Sequence, residues 1–238
     1  MEIQIFEDYS ALCENVAEII VNQIQKKPDS LICLGSGDTP LGVFEILVKQ
    51  GEDLDFSKVN FVGLDEWLGM DENDEGSCFY TMFQKLFIPL ELKAEQIHCF
   101  DAKSDQLETE CKKIDHLIDS NGGLDLILLG IGTNGHLAMN EPGTPFAIGC
   151  HVSKLAESTI LTGQKYFKNS TPLALGITVG LRHIAEAKTI ILMANGAKKA
   201  EIIHQTVHSK PNTALPSSIL NTLPNSFLLV DKEAGNLL

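Results

Sequence analysis

Leu124-Asp125-Leu126-Ile127-Leu128-Leu129-Gly130-Ile131 is an almost unbroken apolar run that passes directly into Gly132-Thr133-Asn134-Gly135-His136. A run that does not alternate apolar with polar reads as a strand buried on both faces, the signature of a parallel sheet covered by helices. Upstream, Ser30 to Leu34 is a second such run, stopping at Gly35 and followed by Thr39-Pro40 and a helical stretch through Val48. Val59 to Leu64, Thr189 to Met193 and Phe227 to Val230 read as further strands. Tyr9 to Lys26 carries Leu12, Val16, Ile19, Ile20 and Ile24 at helical spacing, and Ala197 to Val207 continues as a helix after Gly196. Strands followed by helices imply right-handed βαβ units. The expectation is one α/β domain over residues 1–238, a mostly parallel open sheet with helices on both faces. Pro142 to Leu175 is polar, without a strong period, and reads as a mobile lid over about 142–175.

The composition narrows the function. The chain has 238 residues, 44% of them apolar and 21% charged, a balance that can bury a large core. Thirty-two acidic residues against 18 basic ones give a formal charge of −14. Such a field repels phosphate backbones and anionic lipid, so neither nucleic acid nor membrane is expected as a partner. A small anion bound by a few local donors remains compatible, because screening removes distant charges within about 10 Å. No apolar run has the roughly 20 residues that span a bilayer. Met1-Glu2-Ile3-Gln4-Ile5 lacks the basic start of an export signal, so the cytoplasm is the expected compartment. The six cysteines form no C-x-x-C pair, and no metal site is expected.

Ligands of parallel sheets bind beyond the carboxyl ends of the strands, which directs attention to the residues after each run. Gly35-Ser36-Gly37-Asp38-Thr39-Pro40 could turn backbone N–H groups and the hydroxyls of Ser36 and Thr39 toward a phosphate at a helix N-terminus. Taken alone, it reads better as an ordinary strand–helix turn with Asp38 or Thr39 as helix cap. Asp65 in Leu64-Asp65-Glu66-Trp67 places a carboxylate, a potential proton-abstracting base, at the sheet edge. A solvated turn is the simpler alternative there, with Trp67 as core. The loop from Gly130 to Gly143 is the strongest candidate. It carries His136 with Glu141 five positions later, a pairing that can raise imidazole basicity and select its tautomer. Lys199, at the start of a helix that follows a strand, could hold a phosphate by charge. Lys165 lies in the lid segment. His98, His116, His183, His204 and His208 show no partner spacing and receive no role.

Together these stretches, in this order and spacing, resemble the glucosamine-6-phosphate deaminase/isomerase family nearly end to end. The similarity includes Asn134-Gly135-His136 with Asn140-Glu141-Pro142, Glu157-Ser158-Thr159, Gly196-Ala197-Lys198-Lys199-Ala200 and Pro216-Ser217-Ser218. Asp65-Glu66-Trp67, Cys78-Phe79 and Cys150-His151-Val152-Ser153 are similar to its galactosamine-6-phosphate branch. The resemblance implies a Rossmann-like fold of the sugar-phosphate isomerase type and an amino sugar 6-phosphate as the small-molecule substrate. It implies Asp65 as the base between carbons 1 and 2, His136 as ring-opening acid/base, Glu141 as its supporting carboxylate, and a hydrogen-bonding role for Asn134. Ser36, Gly37, Asp38 and Thr39 would form the phosphate cradle, with Lys199 and Lys165. No metal or redox cofactor is implied, and family members occur as monomers and homo-oligomers. Lys165 stands where the family has an arginine, and Asp38 adds a negative charge to a loop meant for a dianion. That charge is tolerable if the side chain turns away, for instance to cap the helix. A 6-phosphogluconolactonase-like hydrolase, a non-catalytic sugar phosphate sensor and a purely structural α/β domain are the alternatives, the last leaving the clustering of polar motifs at strand ends unexplained.

Overall fold

The computed structural model describes residues 1–51 and 54–238. In chain order the elements are β1 (Glu2–Phe6), α1 (Tyr9–Lys26), β2 (Leu31–Leu34), α2 (Leu41–Gln50), β3 (Asn60–Gly63), β4 (Asp65–Trp67) and α3 (Cys78–Met82). They continue as β5 (Ile97–His98), α4 (Leu107–Ser120), β6 (Leu126–Leu129), β7 (His151–Lys154), α5 (Glu157–Gly163), β8 (Leu175–Thr178) and α6 (Leu181–Glu186). The chain closes with β9 (Ile190–Ala194), α7 (Ala200–His208) and β10 (Ser226–Asp231).

Seven strands form one sheet in the order β1-β10-β9-β6-β2-β3-β5, and every pairing in it is parallel. The pleat sends successive side chains to opposite faces. Ile32 and Leu34 of β2, with Leu126 and Leu128 of β6, pack against Leu12, Val16 and Ile20 of α1 and Phe44 and Leu47 of α2. Leu31, Cys33, Ile127 and Leu129 point the other way, against Ile114 and Ile118 of α4, Ile184 of α6 and Ile203 of α7. This two-sided burial is why the central strands read as continuous apolar runs.

Asp125, the one polar residue inside the apolar run, stands at the entrance of β6 and is 2% exposed. It accepts from Leu31 N at 2.8 Å, Lys27 Nζ at 2.6 Å and Lys188 Nζ at 2.8 Å. Burial alone would push its carboxyl up. The two ammonium groups and the backbone donor prevail and hold it below the usual range.

Three features differ from the reading of the sequence. First, β1 is an edge strand parallel to β10, mostly exposed, and its alternating residues carry too little apolar signal to announce it. Second, a separate antiparallel sheet, β4-β8-β7, crosses the site region. Asp65-Glu66-Trp67 is therefore a strand of that sheet and not a solvated turn. Trp67 is 5% exposed and packs with Met139, Leu155 and Leu173. Third, residues 142–175 are not irregular throughout. They hold β7, α5 and a short 3₁₀ turn at Gln164–Tyr166, stabilised by pairing across the small sheet rather than by a local period. Among the described residues, no helix is long and apolar enough to cross a membrane.

Candidate active site

Four neighbouring strands of the large sheet, β9, β6, β2 and β3, deliver their carboxyl-end loops to one cleft of about 750 Å³. Ser36, Gly37, Asp38 and Thr39 arrive from β2, Asp65 from beyond β3, His136 from β6 and Lys199 from β9. Lys165, from the turn after α5, lines the same cleft. The structure thus brings together residues separated by most of the chain. Asn134 and Glu141 lie behind His136 rather than on the cleft wall.

The histidine loop is built from the backbone outward. His136 N–H donates to Asn134 Oδ1 at 3.1 Å, and Gly135 N–H donates to the Gly132 carbonyl at 3.0 Å, closing a tight turn with Gly135 at φ 81°. The His136 ring lies directly over Gly132, where a methyl group would stand 2.3 Å from Cε1. Only glycine allows this approach. His136 Nδ1 is 3.5 Å from Glu141 Oε2 and 3.2 Å from Thr159 Oγ1. Asn134 Nδ2 donates to Glu141 Oε2 at 2.8 Å, and Ala156 N–H donates to Oε1 at 3.1 Å. Burial opposes ionisation of Glu141, but the hydrogen bonds from His136, Thr159 and Ala156 outweigh it and bring its carboxyl down to about 2.

Asp65 is half-buried at the cleft wall, and desolvation raises its carboxyl to about 6. The Cys78 thiol and the charge of His136 oppose the rise without cancelling it. A carboxylate held near 6 is ionised at neutral pH yet basic enough to take a proton.

Its neighbour Glu66 points into the protein. Its two oxygens accept from Trp67 N–H at 2.9 Å, Ser77 Oγ at 2.7 Å, Cys78 N–H at 3.0 Å and Phe79 N–H at 2.8 Å. Glu66 thereby anchors the start of α3, which carries Cys78 to the cleft beside Asp65 and Ser36. Glu66→Gln replaces one oxygen with an amide donor that faces donors. It is expected to cost about 2 kcal/mol of stability, read as a lowered midpoint in urea unfolding. An unchanged midpoint would remove Glu66 as the anchor.

In the loop from Ser36 to Thr39, neither Asp38 nor Thr39 caps α2. The residue before that helix is Pro40, and neither carboxylate nor hydroxyl of this loop bonds the first turn. This corrects the reading of the loop as a side-chain-capped turn. Thr39 Oγ1 bonds Asn195 Oδ1 at 2.9 Å, while Tyr9 donates to the Thr39 carbonyl at 2.8 Å and accepts from Gly42 N–H at 2.9 Å. Asp38 turns to Lys165, with Oδ2 2.5 Å from Nζ. Lys199 Nζ donates to the Ile131 carbonyl at 2.6 Å, and its pKa is lowered by desolvation and by the charge of Lys165.

Several participants escaped the sequence reading. Asn195 follows β9 at the carboxyl edge, so strand-end position could have flagged it. The contact of Thr159 with His136 has no such signal. His183 has no partner at local sequence spacing, yet it is buried with Nε2 2.5 Å from Asp115 Oδ1. Their separation of 68 residues hid the pair. Asp115, Cys150 and His183 are close enough together to suggest a metal site. Arg182, with NH1 3.0 Å from Asp119 and NH2 3.8 Å from Asp115, already supplies the cation there, and none of these residues lines the cleft.

Comparison with known proteins is consistent along the whole chain. A family model described as glucosamine-6-phosphate isomerases/6-phosphogluconolactonase matches residues 7–227. The chain is 37% identical to a glucosamine-6-phosphate deaminase of Thermoanaerobacter pseudethanolicus, covering 100% of this chain and 95% of that protein. It is also 37% identical to one of Clostridium acetobutylicum, covering 100% of both. A solved monomeric glucosamine-6-phosphate deaminase superposes with a TM-score of 0.96 at 32% identity, with 100% of each chain covered. A 6-phosphogluconolactonase from Trypanosoma brucei, at 19% identity and a TM-score of 0.80, shares the fold.

Proposed function

Since the chain belongs to the glucosamine-6-phosphate isomerase/6-phosphogluconolactonase family, we propose that it converts an amino sugar 6-phosphate and water to a ketose 6-phosphate and ammonia. The observation that carries this reading is the convergence of Asp65 and His136 on one cleft with Lys165, Lys199 and the loop from Ser36 to Thr39. A hydrolytic lactonase has less need of a carboxylate base such as Asp65, and a sensor has none.

In this reading the sugar phosphate sits with its phosphate against the loop of Ser36, Gly37 and Thr39 and the ammonium of Lys199. His136, oriented by Glu141 and Asn134, moves the protons that open the ring. Asp65 then takes the proton from carbon 2, which the carbonyl at carbon 1 acidifies, and the proton is delivered to carbon 1. Water adds at carbon 2 as ammonia leaves. None of these steps requires a metal or a redox cofactor. Each general acid–base step is worth about 10²–10⁴-fold. Closure of residues 142–175 as a lid would exclude water from the intermediate. Six free thiols suit a reducing compartment such as the cytoplasm, and the acidic chain is read as acting without nucleic acid or membrane, as a monomer or a homo-oligomer.

Glucosamine 6-phosphate, giving fructose 6-phosphate, is the substrate supported by the names of the relatives. Galactosamine 6-phosphate, giving tagatose 6-phosphate, is the second reading. It is favoured by Trp67 and Cys78, two residues of the galactosamine-like motifs that line the cleft. Ammonia release measured with both epimers at matched concentrations tests the proposal. Release from either supports it, the faster epimer names the substrate, and release from neither overturns it.

The Asp38–Lys165 ion pair competes with phosphate for the lysine. Asp38→Asn frees Lys165 and removes a like charge from the dianion's surroundings. KM is expected to fall about threefold with kcat little changed, the pattern of improved uniform binding. A raised KM would mean that Asp38 supports the phosphate site instead.

A further inference from the structure

The first turn of α5 meets the acid/base apparatus at three points. Ala156 N–H donates to Glu141 Oε1 at 3.1 Å, Ser158 Oγ accepts from Asn134 Nδ2 at 3.3 Å, and Thr159 Oγ1 lies 3.2 Å from His136 Nδ1. Thr159 is 6% exposed, and its hydroxyl is one of the groups that hold the Glu141 carboxyl low. The direct approach of His136 to Glu141, at 3.5 Å, is longer than a good hydrogen bond. The threonine hydroxyl gives Nδ1 its shorter contact.

The donor and acceptor inventory fixes the direction of the contact between His136 and Thr159. An ionised carboxylate only accepts, so the Nδ1 that faces Glu141 Oε2 at 3.5 Å is satisfied only as N–H. Thr159 Oγ1, at 3.2 Å, then accepts from that N–H. Neutral His136 is therefore the Nδ1–H tautomer, with Nε2 left as the lone-pair nitrogen for chemistry. The opposite tautomer would set a bare Nδ1 lone pair against a carboxylate oxygen.

We propose that Thr159 is a positioning residue, accepting from His136 Nδ1 beside Glu141 so that the tautomer of the histidine depends on how α5 is seated. This deepens the deaminase reading and rests on it for its consequence in turnover. Residues 142–175 then have a role beyond covering the cleft, because the helix they carry completes the histidine's hydrogen bonding.

The test compares Thr159→Val, which keeps the shape and removes the hydroxyl, with Thr159→Ser, which keeps the hydroxyl and removes the methyl. Nitrogen-15 NMR of the imidazole, recorded without substrate, should show Nδ1–H for His136 in the wild type and Thr159→Ser, and loss of that preference in Thr159→Val. In ammonia release from the preferred amino sugar 6-phosphate, Thr159→Val should lower kcat about 10-fold with KM within about twofold. Thr159→Ser should retain kcat within about threefold. If Thr159 acted by packing alone, the order would reverse, with serine the damaging change. An unchanged tautomer in Thr159→Val, an unchanged kcat, or a serine variant as impaired as valine overturns the proposal. Should Thr159→Val fail to fold, Thr159→Ala with the same two measurements replaces it. If the wild type releases no ammonia from either epimer, the deaminase reading falls, and the tautomer measurement alone decides the role of Thr159.

Discussion

Asp65→Asn is expected to reduce ammonia release by about 10³-fold, within the range that one general base contributes, while sugar phosphate binding changes by no more than about threefold. The substitution keeps the shape of the side chain and removes only its basicity, so a fall in kcat without a matching rise in KM would mark loss of chemistry rather than of binding. The wild type should show the titration of the same group. Burial raises the Asp65 carboxyl to about 6. The active ionised form is therefore lost as pH falls through 6, and kcat/KM should drop about tenfold per unit below it. Undiminished turnover by Asp65→Asn would remove Asp65 as the base. A profile flat down to pH 5 would mean that its carboxyl is not the group being titrated.

Gly132→Ala should be nearly as damaging although it deletes no chemical group. A Cβ at this position would stand 2.3 Å from His136 Cε1 and 2.5 Å from both ring nitrogens. The ring has to move, and it loses Glu141 and Thr159 when it does. Displacement of a reacting group by about 1 Å costs on the order of 10²-fold, and we expect a loss of kcat of that size. The backbone of Gly132 is not in the left-handed region, so alanine is tolerated there and the fold should survive. Ammonia release together with circular dichroism checks both halves of the prediction. Full activity would mean that the ring can shift without consequence.

These two residues mark how far the sequence could be read. Asp65 was legible because it follows an apolar run, and in a parallel sheet such positions gather at one edge. The same rule located the loop from Ser36 to Thr39, His136 and Lys199. The rule does not specify which way a side chain turns. The sequence leaves the direction of Asp38 open, and in the structure it reaches Lys165, 127 residues away in the chain. Nor does it reveal the β4-β8-β7 sheet, whose strands are three or four residues long and carry too few residues for a period to emerge.

The amino-acid order by itself determined the parallel sheet, because strands covered on both faces must be apolar at every position, and it determined the gathering of polar motifs at the carboxyl ends. Only the tertiary structure decided that Thr159 meets His136, that Asp115 meets His183 and that the His136 ring rests on Gly132. Local periodicity records which face of an element is buried, but it holds no record of which distant segment arrives to cover it.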